Sequence, residues 1–263
     1  MINKFKRRAA LAMQGRRDAA LSPERLQAGD TFIVEFPKSG VTWLTMLLAN
    51  AFAVEHGLGE RVTFGSVRRF VPDLHASRAV APRLSPGGVG FYKSHAGFNR
   101  NYATTIYLVR HPAAVMKSYH KFRTTLDAAT PADLAVFLDD PRFGIAAWKA
   151  HVGAWIIAPR DTSQRQLHLV RYEDLVADAG AVLAALNDNL GWALSEASLA
   201  EAVARSSRDA MRAQEDLYRR HNPAHRLDFV GKGEVADDAA VAAKVARACA
   251  AELARLGYTE DAA

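Results

Sequence analysis

The sequence predicts a single α/β domain, a central parallel β-sheet flanked by helices on both faces. Three observations carry this. Short runs rich in β-branched and aromatic residues, at 31–36, 89–92, 104–109 and 167–170, alternate with longer amphipathic segments. The run at 104–109 is nearly continuous in apolar residues, as a strand covered on both faces should be. Polar groups collect directly after the runs: Lys38 after the first, Lys93 and His95 after the second, Arg110 after the third. Strands alternating with helices give a sheet of four or five parallel strands, and such sheets bind ligands beyond the carboxyl ends of the strands.

Taken in order, residues 1–29 form a basic leader closed by Gly29-Asp30, and residues 30–263 form the domain. The leader carries Lys4, Lys6, Arg7, Arg8, Arg16 and Arg17 with no apolar stretch after them, so it does not read as a secretory signal. Its ordinary reading is a solvated basic helix; the sharper one is a weak peripheral contact with an anionic membrane or acceptor. The first strand leads into the turn Phe36-Pro37-Lys38-Ser39-Gly40-Val41-Thr42-Trp43. A helix follows, with Leu44, Leu47, Leu48, Ala51 and Phe52 on one face. Residues 57–90 are rich in Gly and Pro and lack sustained periodicity, which predicts a surface excursion.

The second strand ends in Lys93-Ser94-His95, and the third in Arg110. His111-Pro112 opens a helix, since proline suits a first helical position. On it Val115, Ser118, Tyr119 and Phe122 share the inward face. Helices are expected at 131–138 and 143–157. The fourth strand runs into Arg171-Tyr172-Glu173-Asp174, and further helices are expected at 182–190 and 195–218. A polar loop spans 222–235, and an amphipathic helix at 239–256 stops at Gly257. Cys249 lies on its apolar face and reads as core.

Composition narrows the function. Hydrophobic residues make up 49% and charged residues 24%, ordinary for a globular chain, and no apolar run approaches a membrane span. One cysteine excludes an internal disulfide framework and points to a reducing, cytoplasmic compartment. A net charge of +6 favours an anionic partner. The arginines are scattered and no nucleic-acid module is visible, so nucleic acid is not the expected partner.

The turn after the first strand is the most informative stretch. N–H groups of Ser39, Gly40, Val41, Thr42 and Trp43 at a helix start, with Lys38 beside them, make an anion site. It is not the G-x-x-x-x-G-K-[ST] loop, because Lys38 precedes the only glycine. The order Pro-Lys-Ser-Gly-x-Thr-Trp resembles the 5′-phosphosulfate loop of the sulfotransferases that use 3′-phosphoadenosine 5′-phosphosulfate (PAPS). Val41 stands where that family usually has threonine.

Further motifs extend the resemblance over residues 31 to 258. Lys93-Ser94-His95 resembles the family's Lys-Thr/Ser-His segment. Arg110-His111-Pro112 followed by Ser118-Tyr119 resembles its 3′-phosphate site, and Tyr172-Glu173-Asp174-Leu175 its segment near adenine. Trp148, His151, Val152 and Trp155 match a Trp-x-x-His-Val-x-x-Trp helix, read as packing, with His151 a reserve base. Two segments depart from the pattern. Arg208 replaces a phenylalanine expected beside adenine, and Gly231 replaces an arginine ahead of Lys232 and Gly233, which remain candidates for a clamp on the 3′-phosphate.

The resemblance implies a P-loop-like fold and transfer of a sulfonate from PAPS to a hydroxyl acceptor, releasing PAP without a metal. Its implied roles are His95 as general base, Lys38 on the leaving phosphate and Lys93 on the sulfonate. Residues 39–43 would bind the 5′-phosphate, Arg110 and Ser118 the 3′-phosphate, and Trp43 and Tyr172 the adenine. The basic leader is similar to that of bacterial sulfotransferases placed with glycan or glycolipid pathways; a small phenol or alcohol is the other acceptor class. The rival reading is a metal-dependent nucleotide kinase, which would need a strand-end acidic residue for magnesium.

Overall fold

The computed structural model describes residues 26–59, 61–76, 79–157, 165–223, 230 and 239–258. The basic leader and the clamp candidates Gly231, Lys232 and Gly233 lie outside the described residues. Four parallel strands form one sheet: β1 (Asp30–Glu35), β2 (Gly90–Ser94), β3 (Thr104–Val109) and β4 (Gln166–Arg171). Their spatial order is β2-β1-β3-β4. The chain leaves β1 for β2 on one side and then returns to β3 on the other, so the sheet's switch point lies at the carboxyl end of β1. In register, Val34 pairs with Ser94 and Glu35 with Leu108, which brings the ends of three strands level.

β1 is buried along its whole length because helices cover both of its faces. Ile33 belongs to one core cluster, together with Leu44, Leu47 and Phe52 of α1 (Val41–Glu55). Phe32, Val34 and Phe36 belong to the other, with Tyr119 of α3 (Pro112–Leu126) and Trp148 of α5 (Ile145–Val152). Between them in sequence stand the short helices α2 (Val67–Phe70) and α4 (Leu134–Asp139). The predicted apolar face of α1 is present but too narrow: Met46, Ala49, Asn50 and Ala53 are buried as well. β4 is the edge strand and leaves Leu167 and Leu169 exposed.

Helix boundaries moved where backbone geometry overrode periodicity. The helix predicted at 143–157 is α5 followed by a π-helical turn, Gly153–Ile157. That widened turn accompanies the burial of Trp155, whose indole N–H donates to the Ala96 carbonyl at 2.9 Å. Helix α6 (Tyr172–Leu190) starts directly at the end of β4, ten residues before the predicted start, and kinks at Asp178. The helix predicted at 195–218 breaks into α7 (Glu196–Arg205) and α8 (Arg208–His221), because the Ser207 side chain caps the second segment by accepting the Ala210 N–H. The last helix likewise divides into α9 (Ala239–Ala248) and α10 (Ala250–Arg255) around buried Cys249. Burial raises that thiol to about 12, in keeping with a core role.

Candidate active site

The turn after β1 contains two left-handed residues, Gly40 (φ 111°) and Lys38 (φ 76°). A methyl group on Gly40 would lie 2.4 Å from the Tyr172 ring, so both conformation and space demand glycine. A lysine held in that region costs on the order of 1 kcal/mol. Of the N–H groups expected to face outward, three are used internally. Ser39 donates to the Phe36 carbonyl, Val41 to the Glu35 carboxylate at 2.8 Å, and Trp43 to the Gly40 carbonyl. The N–H groups of Gly40 and Thr42 have no protein acceptor among the described residues. The Ser39 hydroxyl also turns inward, donating to the Phe36 carbonyl at 2.8 Å. The Lys38 ammonium lies 5.0 Å from the centre of the Phe122 ring.

At the end of β2, Lys93 pairs with Asp73 at 3.1 Å. Asp73 comes from the Gly/Pro-rich excursion, which docks on β2: the Lys93 N–H donates to the Pro72 carbonyl, and the Leu74 N–H to the Lys93 carbonyl. Burial pushes Asp73 up, but the charge of Lys93 and the hydrogen bonds from Lys93 and the His75 N–H outweigh it and hold the carboxyl at about 2. His95 is 8% exposed. Its backbone N–H donates to His75 Nε2 at 2.8 Å, and the two imidazoles stack 5.5 Å apart. Its Nδ1 lies 3.4 Å from the Glu35 carbonyl oxygen and 3.7 Å from Glu35 Oε1. Burial, then the positive charge of Lys93, holds His95 well below its usual range, so the ring is neutral at pH 7.

Glu35 lies beneath both groups. Its carboxylate is 2% exposed, and burial raises it to about 7 despite Lys93, the Val41 N–H and Lys38, which all pull it down. The sequence reading treated Glu35 as one more strand residue; its signal was an ionisable side chain closing an otherwise apolar run. Asp73 and His75 were missed because they sit in a segment without periodicity.

The end of β3 carries the third group of site residues. The Arg110 guanidinium lies over the Tyr172 ring at 4.4 Å, and Tyr172 meets Trp43 edge-on at 5.9 Å. Trp43 is anchored by its indole N–H, which donates to the Ser206 carbonyl at 2.8 Å. Ser118 sits half-buried on α3, two turns after Arg110. The ring of Tyr172 thus ties together Gly40, Trp43 and Arg110. Arg208 is exposed at the start of α8. His151 lies behind the constellation, buried beside the His95 and Ala96 backbone with its ring edge-on to Phe36: the Tyr107 hydroxyl meets its Nδ1 at 2.7 Å, and burial lowers it to about 4.

The acidic residues after β4 are structural. Glu173 accepts the His111 N–H at 2.9 Å and the Tyr258 hydroxyl at 2.8 Å. Arg171 makes a two-point pair with Asp174 and donates to the Gly257 carbonyl. Among the described residues no group of three His, Cys, Asp or Glu side chains is arranged to hold a metal ion. No helix there is long and apolar enough to cross a membrane.

The sequence profile of the sulfotransferase domain matches residues 28–237. This chain belongs to the PAPS-dependent sulfotransferase family. The sulfotransferase is 24% identical over 230 residues to the amine sulfotransferase of Oryctolagus cuniculus, covering 79% of this chain and 73% of that protein. It is 27% identical over 222 residues to sulfotransferase 2B1 of Mus musculus, covering 78% of this chain and 64% of that one. Among solved structures it resembles retinol dehydratase in complex with retinol and PAP, at TM-score 0.63 and 17% identity. That match covers 87% of this chain and 82% of the other, and it establishes the fold. The residues gathered here have the chemistry for the PAPS co-substrate of the family: open N–H groups at Gly40 and Thr42, the cations Lys38 and Arg110, and the rings of Trp43 and Tyr172.

Proposed function

We propose that this sulfotransferase moves the PAPS sulfonate to an acceptor hydroxyl by in-line displacement, with His95 as the general base. One observation carries the reading: a neutral imidazole and the cations Lys38, Lys93 and Arg110 converge at the carboxyl edge of β1, β2 and β3. His95 accepts the hydroxyl proton. Lys93 stabilises the sulfonate oxygens, and Lys38 with the Gly40 and Thr42 N–H groups stabilises charge on the leaving 5′-phosphate. Arg110 and Ser118 hold the 3′-phosphate, while Trp43 and Tyr172 flank the adenine; Lys232 and Gly233 would close on the same phosphate. Holding the two reactants in register supplies a further part of the rate.

The acceptor class we favour is a glycan or glycolipid hydroxyl, on the resemblance of the basic leader. Labelled PAPS offered to a panel of glycans, glycolipids, phenols and alcohols tests this. Label on phenols alone would replace the acceptor class, and no transfer to any hydroxyl would overturn the proposed activity. PAP without metal should raise the melting temperature more than ATP with magnesium does. The reverse order would favour a kinase.

A further inference from the structure

The carboxylate of Glu35 is not among the groups through which the family resemblance explains the chemistry, yet it lies buried directly beneath them, against His95 and the first turn of α1. Each carboxylate oxygen has a different neighbour. Oε2 accepts the Val41 N–H at 2.8 Å, at the first turn of α1. Oε1 stands 3.7 Å from His95 Nδ1. The backbone carbonyl of the same residue stands 3.4 Å from that nitrogen. A carbonyl oxygen can only accept, so this contact favours the tautomer with hydrogen on Nδ1 and leaves Nε2 to take a proton.

We propose that Glu35 is a positioning residue for sulfonate transfer: it fixes the tautomer of His95 and balances the imidazolium formed when His95 takes the acceptor proton. This rests on the proposed transfer reaction. In the step, the acceptor oxygen forms a bond to sulfur while the bond from sulfur to the 5′-phosphate oxygen breaks. The electron pair leaves with PAP, and the hydroxyl proton goes to His95 Nε2. That proton later passes to solvent.

Electrostatic timing supports the assignment. His95 is held neutral in the resting protein, so Glu35 and His95 form no ion pair before reaction. Attraction between them appears only as the imidazole gains its proton. An interaction stronger in the transition state than in the ground state is the kind that raises turnover. The charged groups facing Glu35 are Lys38 on the loop and Lys93 and His95 at the end of β2, with the Tyr107 hydroxyl nearby from β3. Asp73 and His75 act on His95 from the excursion side, and Asp73 is already neutralised by Lys93. A buried carboxylate is costly to keep, and a glutamine would preserve the Val41 hydrogen bond without that cost. The charge is therefore the property that needs a function.

The test uses the full chain and two readouts. The first is the nitrogen NMR spectrum of His95, in the wild type and in Glu35→Gln, each with PAP bound and titrated from pH 5 to 9. The wild type should show the Nδ1–H tautomer and a second inflection near pH 7 as the carboxylate ionises. Glu35→Gln should keep the tautomer and lose the inflection. An Nε2–H tautomer, or a wild-type titration without the inflection, would overturn the proposal without any acceptor being known. The second readout is turnover, with 2-naphthol as probe acceptor or whichever hydroxyl the panel labels. Glu35→Gln should lower kcat by about tenfold to a hundredfold, the scale expected for a misplaced catalytic group, and leave KM for PAPS unchanged. Adding Glu35→Gln to His95→Ala should cost nothing further, because the residues act as one unit. Multiplying losses would mean that Glu35 acts on the loop independently of His95, and the proposal would fail. Failure of PAP to bind the wild type would instead remove the transfer reading itself.

Discussion

The two halves of the cleft are built in opposite ways. At the ends of β1 and β2, the carboxylates and the imidazole are buried and partnered within the protein: Asp73 holds half-buried Lys93, and Glu35 accepts the Val41 N–H beneath His95. At the end of β3, Arg110, Tyr172, Trp43 and Ser118 are half-buried, and rings rather than carboxylates hold the cation. The contrast has a physical basis. A proton-transfer site works best when its dipoles are dry and already oriented, since fields are stronger there and no reorganisation is needed. A site for a large anion must admit it from water, and a guanidinium on an aromatic face stays accessible while its plane is fixed.

The strongest way to break this comparison is His95→Ala. It should reduce transfer by about 10²–10⁴-fold and leave PAP affinity nearly intact, as steady-state kinetics paired with calorimetry would show. A variant retaining more than a tenth of wild-type turnover would remove His95 as base. His151, buried beside the His95 backbone and bound to Tyr107, would then be the next candidate base.

The matching test on the other half is Arg110→Ala. One charge-assisted contact is worth about 1.5–3 kcal/mol, so PAP should bind roughly 10- to 150-fold more weakly. Adenosine 5′-phosphosulfate, which lacks the 3′-phosphate, should scarcely register the change. Equal losses for the two ligands in parallel titrations would show that Arg110 does not read the 3′-phosphate.

A stability measurement sharpens the comparison from the buried side. Burial raises Glu35 from 4.5 to about 7, so the folded state holds this proton more tightly than the unfolded chain. Its contribution is complete below pH 4.5 and is lost as pH rises to 7, by about 3 kcal/mol at 1.36 kcal/mol per unit. Glu35→Gln should therefore match the wild type near pH 4 and exceed its stability at pH 8. The difference between the two denaturation curves isolates this group, because buried His95 and His151 act in both proteins. An unchanged difference from pH 4 to 8 would mean the carboxylate is not desolvated.

The smallest expected effect belongs to the ring that joins loop and arginine. Tyr172→Leu keeps apolar bulk against Gly40 but removes the face under Arg110. A cation–π contact of about 0.5–2 kcal/mol predicts a twofold to 30-fold weaker grip on PAP, with kcat changed less. A larger loss in kcat than in affinity would place Tyr172 with the chemistry instead.

The chain's own order of residues determined the class of fold, the four strands and the order in which their polar ends appear, because a two-residue alternation or an apolar run is a local property. It also marked the loop, whose Pro-Lys-Ser-Gly spacing is contiguous, and the positions of Lys93, His95 and Arg110 immediately after strands. Helix ends were less legible, as at the Ser206-Ser207 break and the π-helical turn at Gly153, where one capping hydroxyl or one buried indole outweighs periodicity. What only tertiary structure decided is which of these residues meet. Placing β1 between β2 and β3 sets Glu35 under His95, brings Asp73 onto Lys93 across 20 residues, and lays Tyr172 between Gly40 and Arg110. Those contacts depend on strand order and on which way an edge turns. Both are set by the energy of burying the whole sheet, and no stretch of sequence a few residues long contains it.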